Sequence, residues 1–257
     1  ADYALEERMA KNKLTVNEFI KNLLEPSMEF AKKDVADVYA FAKKNGFEDS
    51  QLQSWDFSYW SEKYQQAEYS LSAEELKPYF QLESCIDAVL GLATRLYGIT
   101  FKELDNVPVY HPDVKVYEVN DADGRHLALF YADFFPRASK RGGAWMTEFR
   151  GQSIRNGVEY RPFISTVMNF TKPTADAPAL ITHDELVTFL HEFGHALHGI
   201  FAEGRYGSLT GTNVSRDFVE LPSQIMENWA FEPEYLNSFA KHYQTGEPIP
   251  AELIEKV

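Results

Sequence analysis

The hydrophobic period of this 257-residue chain changes once, near residue 105, and that change limits what the chain can fold into. Residues 1 to about 100 repeat at helical spacing. Val16, Phe19, Ile20, Leu23 and Leu24 share one stripe, and Phe30, Val35, Val38, Tyr39 and Ala42 share the next. Asn45-Gly46 closes the second of these helices, Pro78 interrupts a third region, and Gly98 ends the helix that carries Cys85. From Asn106 the period falls to two. Val114, Val116 and Val119 punctuate KVYEVND, Asp123-Gly124 makes a tight turn, and HLALFYADFF continues as the second arm of a hairpin. A further strand is expected at 163–170, and the intervening KRGGAW reads as a loop in which Gly142-Gly143 admits conformations closed to other residues. The pattern predicts a mainly α fold with a small β-sheet. Its helical region is 1–105, and its sheet and remaining helices occupy 106–257.

With 44% hydrophobic residues the chain can bury a sizeable core, which excludes disorder. No run approaches the roughly 18 uninterrupted apolar residues of a membrane helix. A formal charge of −14 repels nucleic acid and anionic lipid, so neither is expected as a partner. The single cysteine, Cys85, rules out an intrachain disulfide, and its helical spacing with Ala88, Val89, Leu92 and Leu96 makes it a small buried hydrophobe. The opening ADYALEERMAKNK has neither the apolar core nor the cleavage site of a signal peptide, which points to the cytoplasm. The closing PAELIEKV begins a helix and stops, so the chain is expected to lie within a longer protein.

The strongest chemical signal lies in DELVTFLHEFGHALHGIFAEG, residues 184–204, a periodic helix with Thr182 as its N-cap and acids in its first turn. Leu186, Phe189, Leu190, Phe193 and Leu197 form its buried side. His191 and His195, four residues apart, project from one face with Cβ atoms about 5–6 Å apart, so both can place a ring nitrogen on one zinc ion. Glu192 stands beside that ion, suited to take a proton from water and pass it to a departing amine. His198 lies about 7–8 Å along the axis from the midpoint of the pair, too far for the same tetrahedral ion, and reads as a packing or substrate-facing residue.

A third histidine ligand is excluded, because that class needs Gly and His where this chain has His198 and Phe201. The third ligand must then be a carboxylate from Glu203, Glu220 or Glu227. Glu203 ends the same helix and cannot fold back over the metal. Glu220 stands 25 residues beyond His195, after the turn-rich GRYGSLTGTNVSRD, and opens a second helix in which Pro222 is tolerated in the first turn. Glu227, seven residues on, either accepts the free N–H of a ligand histidine or is a solvated helix glutamate.

HEFGHALH, GTNVSRDFVELPSQIMENW and the upstream FYADFFPRASKRGGAW, together with WDFSYWSEKY and LYGITFKELDNVPVYHPDVKVYEV, resemble the thimet oligopeptidase family of zinc peptidases over essentially the whole chain. RYGSLTGTN with RDFVELPSQ is closer to its bacterial peptidyl-dipeptidase branch than to its oligopeptidase A branch. The resemblance implies a zincin-like helical metallopeptidase catalytic region, one continuous domain incomplete at both ends, with a deep channel that admits short peptides. It implies one Zn2+ per site on His191, His195 and Glu220, with Glu192 as the base and Gly211 and Thr212 on a loop along the substrate. The implied reaction releases C-terminal dipeptides from oligopeptides; an endo-acting oligopeptidase is the alternative. In the family, histidine and tyrosine residues that stabilise the tetrahedral intermediate come from a C-terminal region, here beyond Val257. The remaining parts of the same full-length protein are therefore expected partners. From a different class, the chain could be a non-catalytic zinc-binding scaffold segment, but Glu192 kept beside both histidines and Glu220 counts against it.

Overall fold

The structure, a computed structural model, describes residues 1–69 and 73–255. The described residues up to 69 and those of 73–255 form separate compact units.

In the first unit a short α1 (Asp2–Leu5) precedes α2 (Lys13–Lys44) and α3 (Ser54–Tyr69). The Asn12 side chain starts α2 by accepting the N–H groups of Leu14 and Thr15 at 3.0 Å each, which satisfies two donors of the first turn. The two helices expected between Val16 and Ala42 are one. Pro26 sits inside it, and the Ser27 hydroxyl donates to the Leu24 carbonyl at 3.0 Å within the same stretch. The packed face of α2 lies near its C-terminal end, where Val38 and Ala42 are buried and Phe41 meets Tyr64 and Trp60 of α3 at centroid distances of 5.5 and 6.3 Å. Phe19, Ile20, Leu23 and Leu24 of the expected stripe are exposed.

The second unit opens with α4 (Ala73–Leu76), a 3-10 turn at Lys77–Tyr79 around Pro78, and α5 (Leu82–Tyr97). Gly98 stops α5 with φ +75°, donating its N–H to the Thr94 carbonyl. Cys85 is fully buried, and burial pushes its thiol pKa up. The chain becomes extended sooner than the period suggested: β1 (Thr100–Glu103) already pairs antiparallel with β2 (Lys115–Asn120). Two residues past the Gly98 cap, Thr100 and Phe101 have shapes that suit a pleated edge better than another helical turn.

β2 and β3 (His126–Asp133) make the expected hairpin, with Gly124 at φ +85° in its turn. The sheet is completed by two strands beyond it. β4 (Trp145–Arg150) was not read from the sequence; β5 (Ser153–Arg155) and β6 (Val158–Tyr160) form a separate hairpin around Asn156-Gly157, both at positive φ; and β7 (Phe163–Val167) fills the place expected at 163–170. The five-stranded order is β1-β2-β3-β7-β4, with β3 and β7 parallel and the rest antiparallel, so β4 is an edge strand.

Across one face of this sheet lies α6 (His183–Ile200), and after it come α7 (Leu221–Glu227), α8 (Pro233–Phe239) and α9 (Ala251–Ile254). Thr182 and Glu185 cap α6 reciprocally, each side chain bonding the other's backbone N–H. Its apolar side is driven onto the sheet: Phe193 meets Phe130 at 5.6 Å between centroids and Phe189 meets Phe134 at 5.2 Å, all four fully or nearly fully buried. At the far end Arg161 donates to the carbonyls of Ile200, Ala202 and Leu127 at 2.8, 3.0 and 2.8 Å, tying the helix C-terminus to β3. Among the described residues no helix is long and apolar enough to cross a membrane.

At the end of β3 the Asp133 carboxylate, with no solvent exposure, accepts both outer nitrogens of Arg137 at 2.9 Å, Lys140 Nζ at 2.9 Å and the Tyr110 hydroxyl at 3.0 Å. Burial raises its pKa, but the donors outweigh burial and hold it below the ordinary carboxylate value. The stabilisation is therefore complete above the unfolded value of about 4 and is lost as pH falls through the depressed folded value. Lys140 is 2% exposed, so Asp133→Ala strands a buried ammonium. Denaturant unfolding of that variant is expected to show a loss of about 3–5 kcal/mol; a loss below about 1 kcal/mol would mean that water solvates the cluster.

Candidate metal centre

The core packing of Phe189 and Phe193 fixes the rotation of α6, and with it the direction of the opposite face. His191 and His195 stand there one turn apart, half-buried, with ring centroids 4.9 Å apart and planes at 84°. Glu220, the residue immediately before α7, enters between them. Its Oε2 lies 3.3 Å from His191 Nε2 and 3.0 Å from His195 Nε2, and the three donor atoms lie within 4.8 Å of one another.

Gly194 permits this approach, a role the sequence reading did not assign. A Cβ there would come 2.6 Å from both the Pro222 carbonyl oxygen and the Ser223 Cα. Only glycine lets the first turn of α7 lie this close to α6. Glycine inside an amphipathic helix costs about 1 kcal/mol relative to alanine, and that cost was the available signal of close packing. Ser223 then steadies the ligand candidate, donating its hydroxyl to Glu220 Oε2 and to the Glu220 carbonyl, both at 2.9 Å.

Glu227, the last residue of α7, faces His191 from the other side, with Oε1 2.6 Å from Nδ1. Of the two readings left open for it, the geometry brings it to the histidine. A ring N–H donated to this carboxylate leaves Nε2 as the nitrogen that faces Glu220 and His195. The Nδ1 atoms of His195 and His198 have no partner among the described residues. Glu203 is highly exposed and, among the described residues, reaches Arg125 at 4.0 Å, away from the histidines.

Glu192 is buried beside the cluster, where its carboxylate accepts the backbone N–H of Met146 in β4. Burial pushes its pKa up; the charge of Glu220 adds to the rise, while His191 and the Met146 N–H oppose it. His195 moves the other way, its pKa lowered chiefly by burial, which leaves a neutral ring at neutral pH. The first shift favours a proton that can be transferred, and the second leaves a lone pair on the ring.

These groups share a cleft of about 430 Å³, walled by 144–146 at the start of β4 and by Thr212, Val219 and Glu220. Thr212 lines this cleft. Gly211, at φ +57°, is buried behind it against Glu148 and Gly199. His198 opens instead into an adjoining cavity, also of about 430 Å³, with its ring against Phe218 at 6.3 Å. The contributions of Met146 and Glu148 were not legible in the sequence, because β4 itself was not.

The chain matches the family model "Peptidase family M3" over residues 1–257. It is 42% identical over 260 residues to a dipeptidyl carboxypeptidase of Salmonella typhimurium, covering 100% of this chain and 38% of that protein. It is 41% identical over 256 residues to oligopeptidase A of Escherichia coli, covering 99% and 38%. Saccharolysin of Saccharomyces cerevisiae is 32% identical over 273 residues, again with 100% and 38% covered. The chain thus spans 38% of the length of each of these relatives. With the family match extending over every residue and these relatives aligned through both helices of the cluster, the chain belongs to peptidase family M3.

Proposed function

We propose that this chain carries the zinc-dependent catalytic centre of a peptidase that cuts short oligopeptides and releases C-terminal dipeptides. The observation that carries the reading is the convergence of two imidazole nitrogens and a carboxylate oxygen beside the buried carboxylate of Glu192. Donor atoms on a tetrahedral zinc at about 2.0–2.1 Å lie about 3.3–3.4 Å apart. The separations of 3.0 and 3.3 Å between Glu220 and the two histidines suit such an ion, and no cation of the chain is paired with Glu220 among the described residues. His191, His195 and Glu220 would hold the ion, and Glu227 would fix the orientation of His191. An HEFGH helix beneath an edge strand supports a zincin-like reading of the fold.

A zinc ion held by these three residues would acidify water and polarise the scissile carbonyl. Glu192 accepts the proton of the attacking water and returns it to the amine nitrogen as the C–N bond breaks. The backbone of Met146, which lines the same cleft, favours the ionised form of that carboxylate. The activity is proposed for the protein as a whole, with other parts of that protein completing the site.

Glu192→Gln is expected to lower peptide hydrolysis by about 10²–10⁴-fold with zinc still bound at one equivalent, whereas His191→Ala loses the metal. Elemental analysis beside a cleavage assay checks this; loss of zinc from Glu192→Gln would make Glu192 a ligand. Gly194→Ala should force α7 away, weakening zinc binding while circular dichroism stays helical. Unchanged affinity would show that the close helix contact does not set Glu220.

The near-equal identity to dipeptidyl carboxypeptidase and oligopeptidase A favours one second reading, endo-acting cleavage. Peptides with free and amidated C-termini separate the two. Dipeptide release that fails on the amidated peptide supports the first, and internal cuts in both peptides support the second.

A further inference from the structure

In β4 the residues alternate, so Met146 and Glu148 point to the same side of the sheet, and Met146 pairs across to Thr166 while Glu148 pairs to Ile164. The register then slips between Glu148 and Arg150. The Glu148 carboxylate is received by three glycines. A Cβ on Gly199 of α6 would come 3.1 Å from its Oε1, a Cβ on Gly151 would come 2.8 Å from its Oε2, and a Cβ on Gly211 would also collide with Oε1. No cation pairs with it among the described residues. Burial pushes its pKa up, opposed by hydrogen bonds from the backbone N–H and the hydroxyl of Thr212.

A half-buried carboxylate without a counter-ion is an expensive way to fill space, and an apolar side chain would pack here at lower desolvation cost. What the carboxylate does that an apolar group cannot is accept from Thr212 while its Oε1 is set close against the backbone of Gly211. The same loop hangs from the same stretch at a second point, where Gln152 accepts the Gly204 N–H through its side chain and the Thr210 hydroxyl through its carbonyl, both at 2.9 Å. Gln152 anchors the root of the loop. Glu148 anchors the end that lines the metal cleft.

We propose that Glu148 is a positioning residue: it latches Gly211 and Thr212 to the edge strand and thereby fixes the wall of the cleft against which a peptide lies. The latch is a property of this chain, and its effect on peptide binding rests on the peptidase reading above. Without the carboxylate the loop swings, and the peptide must order it on binding, so KM rises while the chemistry at Glu192 is spared.

The test compares Glu148→Ala, Glu148→Gln and Thr212→Val with the unaltered protein, by hydrogen exchange over residues 208–214, zinc content, and KM and kcat on one oligopeptide. In Glu148→Ala, exchange at 208–214 and KM should each rise about tenfold or more, as two hydrogen bonds to a charged group are lost. Zinc should stay at its original content, with kcat within about threefold. Glu148→Gln, which keeps an acceptor oxygen, should recover most of the protection, and Thr212→Val should fall between them. Unchanged exchange in Glu148→Ala and Thr212→Val overturns the latch. Raised exchange with unchanged KM overturns its role in peptide binding. Should the unaltered full-length protein hydrolyse no peptide, the peptidase reading fails, and the exchange data still decide the latch.

Discussion

The centre depends on how closely two helices approach. α6 presents its histidines from one side, and the carboxylate of Glu220 reaches them because the first turn of α7 rests on the bare backbone of Gly194. A helix pair separated by ordinary side chains runs about 8–10 Å between axes, and a glutamate at the very start of one helix would then have to stretch to the other. Removing one methyl group from the interface replaces that stretch with contact. The geometry of the donors is thus set by packing, before any ion contributes attraction of its own.

Electrostatics reinforces the same arrangement. Three acidic side chains, Glu192, Glu220 and Glu227, crowd two imidazoles, and burial together with the charge of Glu220 raises the cost of keeping Glu192 ionised. Elsewhere the chain meets that cost with fixed cations, as at Asp133, where Arg137 and Lys140 close on one carboxylate. The absence of such partners around Glu220 among the described residues distinguishes a place suited to a movable cation from one stabilised by the chain's own charges.

What could be read in the sequence follows from how local each determinant is. The HEFGH helix was legible because its periodicity, cap and histidine spacing all fall within a few turns, and Glu220 followed from eliminating its neighbours in the chain. The hairpin around Asp123-Gly124 was legible from alternation and a turn signal. β4 was not, since WMTEFR alternates poorly and its register slips at Glu148, so its pairing with β7 depends on residues far away in the chain. α2 ran through Pro26 against the local rule, and β1 occupies the short stretch between the Gly98 cap and the change of period at Asn106. The role of Gly194 lay in a contact with Pro222 and Ser223, which no local pattern describes.

The Arg161 side chain bears on how an ion could enter or leave. By occupying carbonyls at the end of α6 and at the start of β3 together, it holds the end of the helix nearer His195 to the sheet. The opposite end is closed by the reciprocal cap of Thr182 and Glu185. With both termini pinned, fraying offers no side door to the histidines. Small solutes then reach the histidines along the open cleft lined by 144–146, Thr212, Val219 and Glu220, where Glu220 stays half-exposed, so access does not wait on breathing of the helix that carries them.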